Sequence, residues 1–209
     1  STVTVVPTSN LSAITQMSDI VSRIVTKRLY VNLDYERGLN SGDTMYTEKN
    51  FWFKPFGSKG SQKEQDGISG FDVRTAGFGL GSDVEFKNNH KFGFGLFYTN
   101  GDIDMTEVSQ KSNIDMFTAL VYGSAPIIDD KTNFLYQTGY SWQKTDSSRD
   151  IFTGYTATAD YTSTTAFVDL KLARDILVSK GIVLRPVVET IYRDRKSTRL
   201  NSSHLSQPR

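Results

Sequence analysis

Residues 76–98 read AGFGLGSDVEFKNNHKFGFGLFY, and this stretch decides the fold. Its five glycines alternate with large apolar residues on both sides of one polar segment, Lys87–His90. Successive side chains of a β-strand point to opposite faces. From Ala76 to Phe86 one face therefore carries the phenylalanines and leucine, and the other carries the glycines. The stretch predicts two β-strands joined by a tight polar turn.

The same period of two recurs in four later segments, which begin near residues 114, 134, 166 and 184. Asn50–Ser58 adds a further strand whose faces the sequence does not separate. One face of the six alternating strands has no formal charge and ends in aromatic residues, as an interfacial girdle does, while the other is polar and rich in glycine. The pattern predicts an all-β, antiparallel transmembrane β-barrel, partial at about seven strands. A soluble β-sandwich also has one apolar and one polar face, and stays as an alternative.

The alternation assigns residues to two groups. The predicted pore-lining residues are Asp83, Glu85, Asp115, Gln137, Asp169, Lys171, Arg185 and Glu189. The predicted lipid-facing or girdle residues are Phe78, Leu80, Phe86, Phe94, Leu96, Tyr98, Leu120, Tyr122, Tyr140, Trp142, Leu184 and Tyr192. A charge on the lipid-facing side is costly. Arginine at Leu96 or Leu120 is therefore expected to block insertion far more than arginine at Gln137.

The predicted connections alternate in length. Long loops at Lys59–Gly70, Thr99–Asn113 and Lys144–Thr162 alternate with short turns at Lys87–Lys91, Ile127–Thr132 and Val178–Gly181. Outer-membrane barrels keep this order, with long loops outside and short turns in the periplasm. The first strand is therefore expected to begin on the periplasmic side.

The composition points away from several other classes of protein. The net charge of +1 gives no reason to expect a nucleic-acid partner, and the chain has no cysteine. GFGLG is not a phosphate-binding G-x-G-x-x-G loop, because residue 84 is valine. His90 has no partner at a metal-ligand spacing and is expected to be a solvated turn residue. We predict no catalytic, cofactor or metal site, and therefore no enzyme.

A helix is predicted before the strands, from Thr8 to Val31, followed by a linker over Asp34–Lys49. Its apolar stripe alone is compatible with a surface helix packed on a soluble core. Beside a barrel, a mostly polar helix of about 36 Å can instead thread the lumen. The expected division is residues 1–49 for a passenger remnant, pore helix and linker, and residues 50–193 for the partial barrel.

The last sixteen residues, 194–209, form a separate segment. Asp194–His204 read DRKSTRLNSSH, which resembles the conceptual translation of a common sequencing adapter. A basic, serine-rich terminus is the alternative. We expect residues 194–209 to be artefactual, and the chain to be a fragment of a longer protein.

The order of motifs is similar to that of the translocator domain of autotransporters, the type V secretion system. A polar helix and a linker precede an aromatic-rich strand with Trp52, then Gly70-Phe71-Asp72. A G-x-G-x-D strand and a second G-x-G strand follow in the opening stretch, and VLRPVVETIYR resembles a later strand of the family.

This resemblance implies an even-numbered barrel of about twelve strands in the outer membrane of a Gram-negative bacterium, with the helix in its pore. It also implies an N-terminal passenger exported to the cell surface and insertion by the outer-membrane barrel assembly machinery. The expected partners are outer-membrane lipid, the protein's own passenger and that machinery. A porin-like or adhesin-type barrel is the runner-up, and a soluble β-sandwich binding domain is the third possibility.

Overall fold

A computed structural model describes residues 8–36, 46–48, 50–63, 70–105, 109–152 and 154–206. One helix, α1 (Thr8–Glu36), precedes all strands. The strands are β1 (Tyr46–Glu48), β2 (Phe51–Gln62), β3 (Phe71–Glu85), β4 (Lys91–Met105), β5 (Gln110–Pro126), β6 (Thr132–Phe152), β7 (Tyr155–Arg174), β8 (Ile176–Ser179), β9 (Ile182–Leu184) and β10 (Val187–Ser206). A short 3-10 turn, Lys87–Asn89, joins β3 to β4.

The strands form an eight-stranded antiparallel sheet and a separate two-stranded ribbon. Each strand from β1 to β7 pairs with the next one in the chain, and β10 pairs with β7. β8 pairs with β9. The prediction of an all-β antiparallel fold with a preceding helix is confirmed. The seven predicted strands correspond to β2–β7 and β10, and β1 adds a short eighth. Within the described residues the sheet is open, because its first and last strands do not pair with each other.

The strands extend farther than the sequence suggested at one end of the sheet. β4 continues to Met105 and β5 starts at Gln110, while β6 and β7 are joined at residues 153–154. Thr99–Asn113 and Lys144–Thr162 are therefore mostly paired strand, which corrects their assignment as loops. In the third predicted loop, Lys59–Gly70, residues 59–62 belong to β2 and residues 64–69 lie outside the described residues. Serine, threonine and tyrosine in these segments are compatible with a pleated, half-buried surface, so the ladder continues. The sheet has projecting hairpins at this end and short turns at the other.

Helix α1 lies against one face of the sheet, here called the inner face. Met17, Val21, Val25 and Leu29 are at most 2% exposed. The inner-face residues of the same apolar core include Trp52, Val73, Phe97, Ile103, Ile114, Met116, Leu120 and Tyr122. The predicted helix is confirmed and continues to Glu36, five residues beyond Val31. In the described part of the chain, no helix combines the length and the apolar content needed to cross a membrane.

β10 continues through the adapter-like segment. Its backbone pairs with β7 as far as Ser206, with register shifts between Ser197 and Ser202. The Nε and Nη2 atoms of Arg195 are buried there without a hydrogen-bond partner. Strand pairing uses backbone groups that every residue except proline supplies, so it does not depend on this sequence. The artefactual origin of residues 194–209 stays a prediction.

Candidate functional site: the helix–sheet interface

A buried hydrogen-bonded cluster fixes α1 to the inner face. Arg28 of the helix donates from Nε to Asp83 Oδ2 (2.8 Å) and from Nη2 to Asp83 Oδ1 (3.0 Å). The hydroxyl of Tyr122 donates to Asp83 Oδ2 (2.5 Å), and the indole Nε1 of Trp52 donates to the Tyr122 hydroxyl (2.8 Å). These four side chains, which we call the Arg28 cluster, come from α1, β3, β5 and β2.

All four members of the Arg28 cluster are nearly inaccessible to solvent, with exposed fractions between 0% for Trp52 and 5% for Asp83. A bidentate arginine–carboxylate pair is a strong and geometrically specific interaction. Its charges are costly to bury unless their remaining donors and acceptors are satisfied. Because the Tyr122 hydroxyl also donates to the carboxylate, the cluster fixes both the rotation and the depth of the helix.

Glycines on β3 and β4 make room for these aromatic rings. A Cβ atom at Gly81 would lie 2.5 Å from the Trp52 ring, and one at Gly93 would lie 2.6 Å from Cζ of Tyr122. The alternation of glycines and large residues in the opening stretch is thus explained on the inner face. Gly81 and Gly93 each leave the space that a ring on a neighbouring strand fills.

Replacing Gly81 by alanine is expected to destabilise the protein by about 1–3 kcal/mol, because the new methyl group overlaps the buried Trp52 ring. Gly57 on β2 is the matched control. The nearest atom to a Cβ there is the Thr75 carbonyl oxygen at 3.6 Å, an ordinary contact, so we expect a change within about 0.5 kcal/mol. The free energy of unfolding in phospholipid vesicles measures both. Equal effects of the two substitutions would contradict this explanation.

A second polar group connects the middle of α1 to β6, β7 and β10. The side-chain amide of Gln137 donates to the backbone oxygen of Ser22 (3.0 Å) and to Asp169 Oδ2 (3.3 Å). Lys171 Nζ lies 2.6 Å from Asp169 Oδ2 and 2.9 Å from Glu189 Oε2. Ser22, Asp169, Lys171 and Glu189 also border a cavity of about 690 Å³ between α1 and the β7–β10 part of the sheet. The cavity therefore has charged groups of both signs within a lining that is otherwise largely apolar.

The C-terminal part of α1 is held near the short turns. Lys91 Nζ donates to the backbone oxygen of Asn32 (3.0 Å). Arg185 bridges Asp34 of the helix (2.8 Å) and Asp175 (2.6 Å), and its guanidinium carbon lies 5.1 Å from the centroid of the Tyr30 ring. These contacts place the end of the helix at the turn end of the sheet.

The N-terminal part of α1 lies toward the projecting hairpins. The Met17 sulfur is 2.9 Å from the position that a Cβ of Gly101 would occupy, and Gly101 lies in the projecting part of β4. Ser18 contacts the Met116 sulfur at 4.0 Å. The helix therefore runs from the hairpin end of the sheet to the turn end.

The opposite face of the sheet, here called the outer face, carries exposed apolar residues. Phe94 is 50% exposed and Leu96 is 48% exposed. A row of aromatic residues crosses four neighbouring strands on this face. The cross-strand register pairs Phe78 with Tyr98, Tyr98 with Phe117, and Phe117 with Trp142.

Polar side chains begin directly beyond this aromatic row, toward the projecting hairpins. Asp115 accepts hydrogen bonds from the Tyr98 hydroxyl (2.7 Å) and the Asn100 amide (2.8 Å). Asn113 donates to Asp102 (2.5 Å) in the next row. Along the strands, the outer face thus changes from apolar to charged residues immediately beyond the aromatic row.

The direction of the side chains on β5 corrects three sequence assignments. Leu120 and Tyr122 were predicted to face lipid, but they are 4% and 1% exposed on the inner face, against the helix. Asp115 was predicted to line the pore, but it lies on the outer face with Tyr98. The inner face of β5 is apolar because it packs on α1, and Asp115 is tolerated outside because it lies beyond the aromatic row.

The other predicted residues lie as follows. Asp83, Gln137, Asp169, Lys171 and Glu189 lie on the inner face or border the cavity beside the helix. Glu85 is exposed at the end of β3, and Arg185 lies between β9 and β10. Phe78, Leu80, Phe86, Phe94, Leu96, Tyr98, Tyr140, Trp142 and Tyr192 lie on the outer side, whereas Leu184 belongs to the β8–β9 ribbon. Pore lining and lipid contact stay predictions.

Sequence reasoning missed Trp52, Arg28 and Phe117. The faces of the strand that carries Trp52 were not separated, and nothing in the pattern of the helix distinguishes Arg28 as a buried residue. Phe117 is 55% exposed and completes the aromatic row between Tyr98 and Trp142. Phe117 is recognised only from the cross-strand register, which pairs it with Tyr98 and Trp142.

The turn residues also make specific contacts. His90 was expected to be solvated, yet it is half-buried, with its ring 6.4 Å from that of Tyr136. Asp129 accepts a hydrogen bond from Arg174 Nη1 (2.9 Å) and others from the backbone N–H groups of Lys131 and Thr132. The hydrogen bond from Arg174 is the main reason why the pKa of Asp129 is lowered to about 2.

The stabilisation from Asp129 should therefore be present above pH 3.8, its ordinary pKa, and be lost as the pH falls toward about 2. Arg174→Gln is expected to raise the pKa of Asp129 toward 3.8, because it removes the main hydrogen bond to the charged form. Lys131→Gln also removes one positive charge near Asp129, but keeps the backbone N–H of residue 131 that donates to Asp129. Carbon-13 NMR titration of aspartate carboxyls measures the change, and equal shifts in both variants would contradict the assignment.

The comparison with protein families gives one match. The sequence model of the Autotransporter beta-domain matches residues 51–202, well over half of the 209 residues. Comparisons with curated proteins and with solved structures found no similar protein. The matched region spans β2–β9 and most of β10, including the strands that carry Trp52, Asp83 and Tyr122. The chain belongs to the autotransporter β-domain family, a family of outer-membrane translocators.

Proposed function

We propose that this domain anchors an autotransporter in the outer membrane of a Gram-negative bacterium and exports an N-terminal passenger to the cell surface. The observation that carries the proposal is the direction of α1. The helix runs along the inner face from the projecting hairpins to the short turns, where Arg185 contacts Asp34. The N-terminal end of α1, from which a passenger would extend, therefore lies toward the hairpin end.

The proposed orientation places the projecting hairpins outside the cell and the short turns in the periplasm. This agrees with the usual arrangement of outer-membrane barrels. The aromatic row from Phe78 to Trp142 then lies near the external surface of the membrane, where amphipathic rings are enriched. The charged residues beyond it, such as Asp115 and Asp102, lie among headgroups and water.

The mechanism proposed for this domain is physical rather than catalytic. The inner face has polar side chains around the helix, and the cavity beside it contains both signs of charge from Arg23, Lys171 and Glu189. Such a surface is compatible with a hydrated polypeptide segment. The apolar outer face supplies the contact with outer-membrane lipid. Insertion by the barrel assembly machinery is part of the proposal, because the backbone groups of spanning strands must be paired before they meet lipid.

An accessibility experiment on intact cells tests the export function. One epitope is placed directly before Ser1 in the full-length protein, and another is placed in the turn after Asn88. We expect an antibody to bind the first epitope on intact cells, and the second only after the outer membrane is permeabilised. Binding of the second epitope on intact cells, or protein in the soluble periplasmic fraction, would contradict the proposal. A buried first epitope with a correctly placed barrel would favour a porin-like function.

A further inference from the structure

The β8–β9 ribbon, Ile176–Leu184, is apolar and lies outside the core. Its exposed fractions include 70% for Leu177, 57% for Val178 and 55% for Ile182. Each of its two strands has three consecutive aliphatic residues, Ile176–Val178 and Ile182–Leu184. A strand that buries only one face alternates apolar with polar residues, so this ribbon has apolar side chains on both faces.

The ribbon has a defined position at the turn end of the sheet. The backbone N–H of Asp175 donates to the Lys131 oxygen (2.9 Å), which connects the base of the ribbon to the β5–β6 turn. Arg185, on the other side of the base, donates to both carboxylate oxygens of Asp175 and to Asp34 of the helix. The base of the ribbon is therefore tied both to the sheet and to α1.

The apolar outer face of the sheet ends next to this ribbon, with the ion pair of Arg174 and Asp129 between them on that face. Leu172 on β7 and Val188 on β10 are register partners directly before it, with exposed fractions of 42% and 71%. An exposed apolar surface of this kind marks a contact with a membrane or a protein. Because the ribbon adjoins the face proposed to contact lipid, the favoured partner is the membrane.

Three lysines at this end can reach a phospholipid surface, alongside the exposed carboxylates of Glu85, Asp129 and Asp130. Lys180 is exposed at the tip of the ribbon, and Lys87 and Lys131 are exposed in the neighbouring turns. Long cationic side chains place their apolar stems along an apolar surface and their charges at the headgroups. Lysine beside exposed leucine and valine is the pattern of a segment that binds the membrane interface.

The backbone hydrogen bonding of the ribbon limits how deeply it can enter the membrane. Among the described residues, β8 and β9 pair only with each other, so both outer edges have backbone groups without strand partners. Unpaired backbone groups are not tolerated in the hydrocarbon core. At the headgroup level, water and lipid oxygens can satisfy them. A depth of about 5–10 Å at the headgroup–acyl boundary meets both requirements.

We propose that the β8–β9 ribbon inserts into the periplasmic phospholipid leaflet at the headgroup–acyl boundary, as a second membrane contact beside the barrel wall. The proposal rests on the proposed function, because it needs the turn end of the sheet at the periplasmic leaflet. This membrane contact would link the lipid leaflet mechanically to α1. Through Arg185, the ribbon connects lipid to the C-terminal end of the pore helix.

Fluorescence quenching in vesicles tests this proposal, and the cysteine-free chain makes single labels simple. Leu177→Cys and Ile182→Cys are labelled with an environment-sensitive dye in the full-length protein. The vesicles contain phosphatidylethanolamine and phosphatidylglycerol, with or without brominated acyl chains. Leu96→Cys on the outer face is the lipid-exposed control, and Asp72→Cys in the projecting part of β3 is the water-exposed control.

We expect brominated lipid to reduce the emission at residues 177 and 182 by an amount comparable with that at residue 96. Iodide in water should reduce it less than at residue 72. Strong iodide quenching without an effect of bromine would overturn the proposal, since the ribbon would then lie in water. Shielding from both quenchers would also overturn it, because a second copy of the chain would then cover the ribbon. If residue 96 also escapes bromine, the proposed barrel itself fails.

Discussion

Replacing Asp83 by alanine is expected to destabilise the protein by about 3–5 kcal/mol, because the buried Arg28 guanidinium loses its ion pair and two hydrogen bonds with this carboxylate. Arg28 is 2% exposed, and the structure shows that Asp83 accepts two hydrogen bonds from its guanidinium. The Tyr122 hydroxyl loses its acceptor in the same variant. The free energy of unfolding from phospholipid vesicles measures the loss.

Arg28→Ala removes the other member of the buried ion pair, and Arg23→Ala is its matched control. Both remove one positive charge from α1, but Arg23 is exposed and its side chain contacts the Asp19 backbone oxygen at 3.3 Å. We expect Arg23→Ala to change stability by no more than about 0.5 kcal/mol. A double variant, Arg28→Met with Asp83→Leu, removes both buried charges and should recover much of the loss. Equal effects of the two single arginine variants would show that the Arg28 cluster does not fix the helix.

Proteolysis gives a second measure of the same contact. If the Arg28 cluster fixes α1, Asp83→Ala should make the helix more accessible to a protease in the reconstituted protein, with the sheet still assembled. Lys27 and Arg28 offer trypsin sites within the helix. Protection equal to that of the unaltered protein would contradict the role of the cluster, whatever the change in overall stability.

Much of the sheet was predictable because alternation and composition agree along most strands. On β3, β4, β6 and β7 the polar or glycine face is the inner one, as the sequence indicates. Gly81, Gln137 and Asp169 all follow this rule. A shift of one residue in register would move every side chain of a strand to the opposite face. Agreement along a whole strand therefore supports the predicted assignment of its faces.

The faces of β5 were not predictable by the same reasoning. Both faces of this strand are largely apolar, and Asp115 was the residue used to distinguish them. A charge indicates the inner face only where the outer face meets hydrocarbon, and Asp115 lies beyond the aromatic row, beside Asn100. The inner face, in turn, is apolar because Met116 and Leu120 join the core that α1 completes.

The residues that contact the helix could not be predicted from the sequence either. Asp83 was correctly placed on the inner face, but its pairing with Arg28 spans 55 residues and depends on the depth and rotation of α1. Neither quantity follows from periodicity. The ribbon was missed for a different reason. Val178–Gly181 reads as a plain turn, and only the break in the sheet at Asp175 separates β8 and β9 from their neighbours.

Arginine at Leu96 is expected to cost about 2–4 kcal/mol in a bilayer, because Leu96 lies in the middle of the outer apolar face. Phe117→Arg is the control at the aromatic row, where the same charge should cost only about 0–1 kcal/mol. The free energy of folding into phospholipid vesicles measures the cost of both substitutions. The structure removes Gln137 as a tolerant control, since Gln137 is 1% exposed and contacts the helix.

Bilayer thickness distinguishes a lipid-facing residue from a core residue. A thinner bilayer brings headgroups closer to Leu96, so the cost of Leu96→Arg should fall as the acyl chains are shortened. Leu120→Arg should also be destabilising, but by placing an unpaired charge against α1. Its cost should not depend on acyl-chain length, because no lipid touches that site. A thickness dependence at Leu120, or none at Leu96, would reverse the assignment of the two faces.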